Sequence, residues 1–208
     1  MKSLFKTGLI LTLLTAGGFA QADLTANIGY ASEYIFRGIP QKNSSASGGL
    51  DYSSNGFYVG TWAADVGDGL ETDLYFGYGG DAGDFSYSVG YTGYFYTGDF
   101  DDTYQEINLG GGYGPLSVDV ALGQYANFSG PTQDYAYYAL TYSADNGLYG
   151  KVAGFGQDFE GNYLELGYGT TISDIDLGVA LIFSDSDLLG GQDDQNIVFT
   201  IGKSFDLK

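Results

Sequence analysis

Between Leu24 and Leu207 the chain is a succession of short runs in which every second residue is apolar and the residues between are small or polar. A side-chain repeat of two belongs to a β-strand whose faces meet chemically different surroundings. In the first run Leu24, Ala26, Ile28, Tyr30, Tyr34 and Phe36 fall on one face, with Ser32 alone breaking the series. Thr25, Asn27, Gly29, Ala31, Glu33, Ile35 and Arg37 fall on the other. The rhythm recurs in Leu74, Phe76 and Tyr78, in Phe85 to Tyr91, in Leu116 to Leu122, in Leu164 to Tyr168, in Ile175 to Phe183 and in Ile197 to Ile201. It is weaker over residues 57–66 and 148–156.

The breaks between runs alternate between two kinds. Ser53-Ser54-Asn55-Gly56, Gly80 to Asp84, Gly114-Pro115, Ala144-Asp145-Asn146-Gly147 and Ser173-Asp174 are tight, with the turn chemistry that closes short hairpins. Gly38 to Gly48, Val66 to Gly69, Gly98 to Asp102, Ser129 to Asp134, Gln157 to Gly161 and Ser184 to Gln195 are generally longer and mostly acidic. Short connections at one end and long ones at the other are the asymmetry of outer-membrane barrels, whose short turns face the periplasm.

The first 22 residues read differently. Lys2 and Lys6 make a basic start, Leu9 to Phe19 an apolar stretch, and Ala20-Gln21-Ala22 a small-residue cleavage site before Asp23. This predicts a secretory signal peptide over 1–22, too short in its apolar part to be an anchor, and one domain over 23–208. Membrane strands of about ten residues, repeated twelve times, use about 120 residues and leave connections of about six. Eight strands would leave connections of about fifteen, longer than the turn signals allow. The expected fold is therefore all-β, a closed antiparallel transmembrane β-barrel of twelve strands, with ten as the next count.

Composition bears on which face is enclosed. Twenty Tyr and 14 Phe exceed what a small soluble sandwich needs, and many lie near strand ends, where membrane girdles form. The 35 Gly fall mostly on the face opposite the large apolar residues. That polar face also carries Glu33, Arg37, Asp73, Glu106, Asp119, Glu165 and Asp176 in mid-strand. The apolar face is expected to meet lipid and the charged face to line a lumen. A soluble periplasmic carrier would need the inverse arrangement, with its aliphatics enclosed.

Charge and missing residue types narrow the chemistry. Two of the seven basic residues and none of the 26 acids precede Asp23, leaving five bases against 26 acids, net −21. Such acidity argues against nucleic acid and favours cations or basic molecules as partners. Without Cys there is neither a lipid-attachment thiol nor a disulfide frame. Without His, the general bases and shuttles of barrel lipases, acyl transferases and proteases are missing, as are haem and His/Cys zinc ligands. No enzyme activity and no cofactor are expected. Asp185, Asp187, Asp193 and Asp194 offer oxygens to a hard cation, but their spacing fits neither an EF-hand nor a nonapeptide calcium repeat, and solvated loop tips are the simpler reading. Gly110-Gly111-Gly112 sits inside a strand and opens no phosphate loop.

Lumen or constriction candidates are Glu33, Arg37, Asp51, Asp73, Glu106, Asp119, Glu165 and Asp176. Arg37 is expected to pair with a lumen acid such as Glu33 or Asp51 and fix the interior, or to form the cationic wall of a constriction. Inward Tyr75, Tyr94, Tyr96, Tyr135 and Tyr137 could fill the lumen instead. At the other end, Thr200 to Leu207 has the form polar-x-Gly-x-x-aromatic-x-hydrophobic, with Gly202, Phe205 and Leu207 at the marked positions. It resembles the β-signal read by the barrel-assembly machinery, although Lys208 follows where such chains usually end.

The run Tyr30-Ala31-Ser32-Glu33-Tyr34-Ile35-Phe36-Arg37-Gly38-Ile39, then Gly48-Gly49-Leu50-Asp51-Tyr52, then Gly56 to Ala63, is similar to the TorF-type family of porins. The likeness covers roughly residues 28–66; beyond it only the strand rhythm agrees. It implies an outer-membrane barrel and little about solute. The expectation is a passive channel in the cell outer membrane, reached through Sec export and preferring cations through its acidic lumen. Expected partners are outer-membrane lipid, lipopolysaccharide, the assembly machinery and small solutes or cations. A packed, non-conducting barrel with a structural or surface-interaction role is the alternative.

Overall fold

The computed structural model describes residues 23–207, so the leader expected over 1–22 lies outside the described residues. Twelve strands follow one another: β1 (Asp23–Phe36), β2 (Ile39–Ser54), β3 (Phe57–Gly67), β4 (Gly69–Ala82), β5 (Phe85–Tyr96), β6 (Tyr104–Tyr113), β7 (Leu116–Tyr125), β8 (Gln133–Ser143), β9 (Leu148–Gln157), β10 (Asn162–Ile172), β11 (Ile175–Ser184) and β12 (Asp194–Leu207). Each pairs antiparallel with its sequence neighbours, and β1 pairs with β12, so the sheet closes into a barrel. Closure removes the sheet edges that would otherwise attract other chains. One turn of helix, α1 (Ser186–Leu189), interrupts the last loop.

The apolar face points outward. Ile28, Leu74, Val118 and Leu177, on four well-separated strands, are 58, 52, 48 and 38% exposed. A soluble carrier would bury these positions. At the end of the barrel that holds both termini, the outer face carries an aromatic band. Phe57 meets Tyr78 at 4.9 Å between ring centroids, and Phe85 meets Tyr113 at 4.7 Å. Toward the other end the apolar band stops at a polar ladder, where Tyr91 donates to Gln105 and Gln124 donates to Asp134 at 2.8 Å.

All five tight turns lie at the termini end. Positive φ at Asn55 and Gly56, and at Ser173 and Asp174, gives the two-residue turns that match strand twist. The first connection at the opposite end departs from expectation. Gly38 to Gly48 is not a loop: β2 begins at Ile39, and Arg37 and Gly38, with φ of 50° and 82°, make a tight turn. The run Ile39 to Gly48 lacks apolar alternation because most of it does not sit in the wall.

Register locates the departure. β1 pairs with β12 from Leu24↔Leu207 to Ala31↔Thr200 and no further, although β12 begins at Asp194. β2 pairs with β3 only from Ser54↔Phe57 to Ser47↔Ala64, although β3 runs to Gly67. The distal part of the β1–β2 hairpin thus leaves the wall on both sides. A serine side chain takes over where each ladder stops. Phe199 N–H donates to Ser32 Oγ at 2.8 Å, and Ser45 Oγ donates to the Asp65 carbonyl at 2.7 Å.

Candidate functional site

The freed hairpin tip lies inside the loop end of the barrel. One of its faces meets the β3–β6 wall: Tyr34 packs edge-on against Trp62 and donates to Glu71, and Phe36 lies 5.5 Å from the Tyr94 ring. Ile35 on its other face, and Ile39 beside the turn, pack against an enclosed cluster that includes Ala31, Tyr137, Phe155, Tyr163, Ile182 and Val198. At the tip, Ser184 Oγ donates to the Gly38 carbonyl at 2.6 Å. A Cβ on Gly38 would stand 2.7 Å from the Tyr163 ring, so the close approach requires glycine here. Tyr34 and Phe36, assigned to lipid by strict alternation, face inward. The cause is that the hairpin leaves the wall beyond Ala31 and Ser47; the register shift at Tyr34 and Ile35 places its extra residue, Gln41, in β2 and leaves the parity of β1 unchanged.

Arg37 is the centre of the site. Its guanidinium makes two parallel hydrogen bonds to the Glu106 carboxylate, at 2.8 and 2.7 Å, and lies 4.1 Å from the centroid of the Tyr137 ring. Glu106 also accepts from Tyr94 and Tyr135, each at 2.8 Å, and from Asn108 at 2.6 Å. Neither Glu33 nor Asp51 is the partner. The turn carries Arg37 across the lumen to β6, which sequence separation could not reveal. A fork-on-fork pair with its remaining lone pairs occupied is the geometry in which burying both charges is tolerated.

The neighbouring acids are less well matched. Glu71 and Asp73 are consecutive inward residues of β4, both essentially buried, and Asp73 Oδ1 has no hydrogen-bond partner. Glu71 was absent from the expected set, yet it shares the parity of Asp73, and extending the period of two by one step would have found it. Glu165 is buried with Lys151 at 3.3 Å and accepts from Tyr149 at 2.6 Å. Lys151 lies in the stretch where the rhythm is weak, because β9 alternates Gly150, Gly154 and Gly156 outward with Phe155 inward. Asp51 accepts from Tyr75 and Asn27, while Asp176 accepts from Thr171 near the termini end. Asp119 sits opposite Gly110 and Ala139, and Glu33 rides on the hairpin opposite Asn43.

The inward tyrosines divide into two groups. Tyr58, Tyr75, Tyr135 and Tyr149 stand directly opposite Gly77, Gly60, Gly123 and Gly167 on the next strand. Each lies across that glycine; a Cβ at Gly123 or Gly167 would come within 2.3 Å of the ring. Tyr94 and Tyr137 project to the Arg37–Glu106 pair, which the hydroxyl of Tyr135 also reaches. Near the loop mouth Tyr104 stacks on Tyr125 at 4.3 Å, both donating to Asp101, and Tyr135 stacks on Phe159 at 5.2 Å.

The acids of the last loop bond to backbone N–H groups of the loop itself and of the start of β10. Asp185 caps α1 by accepting from Leu188 N–H at 2.9 Å, and its second oxygen accepts from Asn162 N–H. Asp193 accepts from Ser186 N–H and Asp194 from Gln195 N–H. Among the described residues no three acidic, His or Cys side chains are grouped to hold a metal ion. At the chain terminus, Gly202 faces Gly29 across the closing seam, and Phe205 and Leu207 lie on the outward face.

The family described as "Bacterial protein of unknown function (Gcw_chp)" matches residues 15–204. The chain belongs to this family. Comparison with curated proteins finds no match. Among solved structures, the Gcw_chp barrel is similar to the KdgM porin, with a TM-score of 0.60 at 9% identity over 88% of this chain and 99% of that one. It is also similar to OccK2 (OpdF) of Pseudomonas aeruginosa, solved with glucuronate, at 12% identity over 93% of this chain and 68% of that one, with a TM-score of 0.45. At 9% identity the likeness to the KdgM porin is one of fold, a closed antiparallel barrel.

Proposed function

We propose that the chain is an outer-membrane channel of the porin kind, admitting small solutes or ions and preferring cations. The observation that carries this reading is the closed wall with its aliphatic face outward and its charged face enclosed. With the termini and short turns on the periplasmic side, the loop end faces outside. The resemblance of residues 28–66 to TorF-type porins agrees with this placement. Cation preference follows from the enclosed Asp51, Glu71, Asp73, Asp119 and Asp176, which outweigh Arg37 and Lys151. Planar-bilayer recordings under a salt gradient test it. A reversal potential of cation-selective sign is expected, and the opposite sign would end the selectivity claim.

One observation favours a second reading, a packed barrel with no conductance: the hairpin tip and the aromatic stacks occupy the loop half of the lumen. Liposome swelling with sugars of graded size separates the two. Swelling that falls with sugar size supports a channel, and no swelling supports the packed barrel.

A further inference from the structure

We infer that the hairpin segment from Ser32 to Ser45 is a built-in gate, which opens by returning to the wall between β12 and β3. The inference rests on the channel reading and says how that channel opens.

The two edges beside the hairpin are its receiving site. β12 offers Asp194 to Phe199 beyond its last β1 partner, and β3 offers Asp65 to Gly67 beyond its last β2 partner. Backbone groups on such edges gain strand partners if the hairpin rejoins them. The serine bonds at Ser32 and Ser45 already hold each edge to the hairpin where the ladders end, so both are positioned as hinges.

The hairpin sequence suits both positions. Extending the β1–β12 register from Ala31↔Thr200 sets Tyr34 opposite Ile197 and Phe36 opposite Gln195. On the wall, Tyr34 and Phe36 would then continue the outward series of Leu24, Ala26, Ile28 and Tyr30, while Glu33, Ile35 and Arg37 would line the lumen. In the inserted position the same residues are matched differently: Tyr34 to Glu71, Phe36 to Tyr94, and Ile35 to the enclosed cluster. Two packings of one short segment, each with its own partners, make a bistable element.

The latch of the closed position is the Arg37–Glu106 fork. It is the ion pair that spans from the hairpin to β6, and it breaks as the tip withdraws, together with the Ser184–Gly38 and Tyr34–Glu71 hydrogen bonds. A second pair, Lys42 with Asp65, joins the hairpin to β3 near the hinge and need not break.

A cysteine pair tests this directly, since the chain has no native Cys. Phe36 lies against Tyr94 inside the barrel, whereas Gln195 is exposed on β12. A disulfide between Phe36→Cys and Gln195→Cys requires Cα atoms within about 7 Å, hence a hairpin in the wall. Folding is checked first by the heat-dependent shift in gel mobility. In planar bilayers, oxidation should close the disulfide and raise mean conductance at least fivefold, reversed by reductant. Glu106→Gln alone should raise the open fraction at least threefold, and it keeps the test available if the cysteine pair does not fold. A pair that stays reduced in the folded barrel, or wild-type conductance equal to that of the oxidised pair, would overturn the gate while leaving the channel intact. An oxidised pair that carries no current would instead overturn the channel reading itself.

Discussion

The two halves of the lumen are built from the same twelve strands and contrast sharply. Toward the short turns the inner face is mostly Gly, Ser and Thr with Asp51 and Asp176 among them, and its tyrosines Tyr58, Tyr75 and Tyr149 lie flat on the glycines Gly77, Gly60 and Gly167. Toward the loops the inner face is crossed by a hairpin, an arginine fork and stacked aromatics. Strand length and alternation do not separate the halves. What separates them is whether both edges of β1 and β2 stay paired. Below Ala31 and Ser47 they do, and side chains can only line the space. Above, they do not, and main chain enters it.

The change expected to act most on this contrast is Arg37→Ala, which leaves Glu106 as a buried carboxylate without its cation. Breaking a buried pair from one side costs about 3–5 kcal/mol, so the thermal unfolding midpoint of the barrel in detergent should fall clearly. An unchanged midpoint would mean that the fork contributes nothing to holding the loop half shut. Next in size is Gly167→Ala, which places a methyl where the Tyr149 ring lies. Overpacking of this kind costs about 1–3 kcal/mol, and a ring forced to stand up should also obstruct the smooth half. Slower swelling of liposomes toward larger sugars would register it, whereas a silent substitution would show that the ring has room to move.

Asp73→Asn should act in the opposite direction. The carboxylate oxygen Oδ1 is buried without a partner, so replacing the charge by an amide should raise the unfolding midpoint by about 1 kcal/mol equivalent. A lower midpoint would indicate a partner that the negative charge requires. The smallest effect is expected at the rim. Partial desolvation opposes ionisation of Asp185, but donation from Leu188 and Asn162 outweighs it and holds the carboxyl below its ordinary range. An acid with a lowered value adds stability that is complete near neutral pH and fades as pH falls through that value. Asp185→Ala should therefore cost at most about 1 kcal/mol near neutral pH, with the difference from wild type shrinking in acid. A difference that grew in acid would contradict the capping role.

Alternation made the two faces of the wall legible: the outward placement of Ile28, Leu74, Val118 and Leu177 and the inward placement of Asp73, Glu106 and Glu165 follow from a period of two. Strand count came from chain length, and the short turns from their residue chemistry. The partner of Arg37 did not follow, because a turn that folds inward brings β1 to β6 through space that no local rule describes. Ser32 was the visible trace. It interrupts an otherwise apolar face at the residue where pairing with β12 gives out, and a hydroxyl there can bond an amide that a leucine could not. The poor alternation after Ile39 carried the same message, since a segment outside the wall, with Pro40, Asn43, Ser44 and Ala46 exposed, has no lipid-facing side to keep apolar.

The depth of the two serines has a consequence for any bilayer that holds this barrel. Amides without strand partners are tolerable only where water can reach them, and hydrocarbon admits almost none. The unzipped stretch therefore cannot extend below the headgroup layer without exposing naked peptide to acyl tails. Lipid thickness, acting as a doorstop, would set how far the first two strands can part from their neighbours.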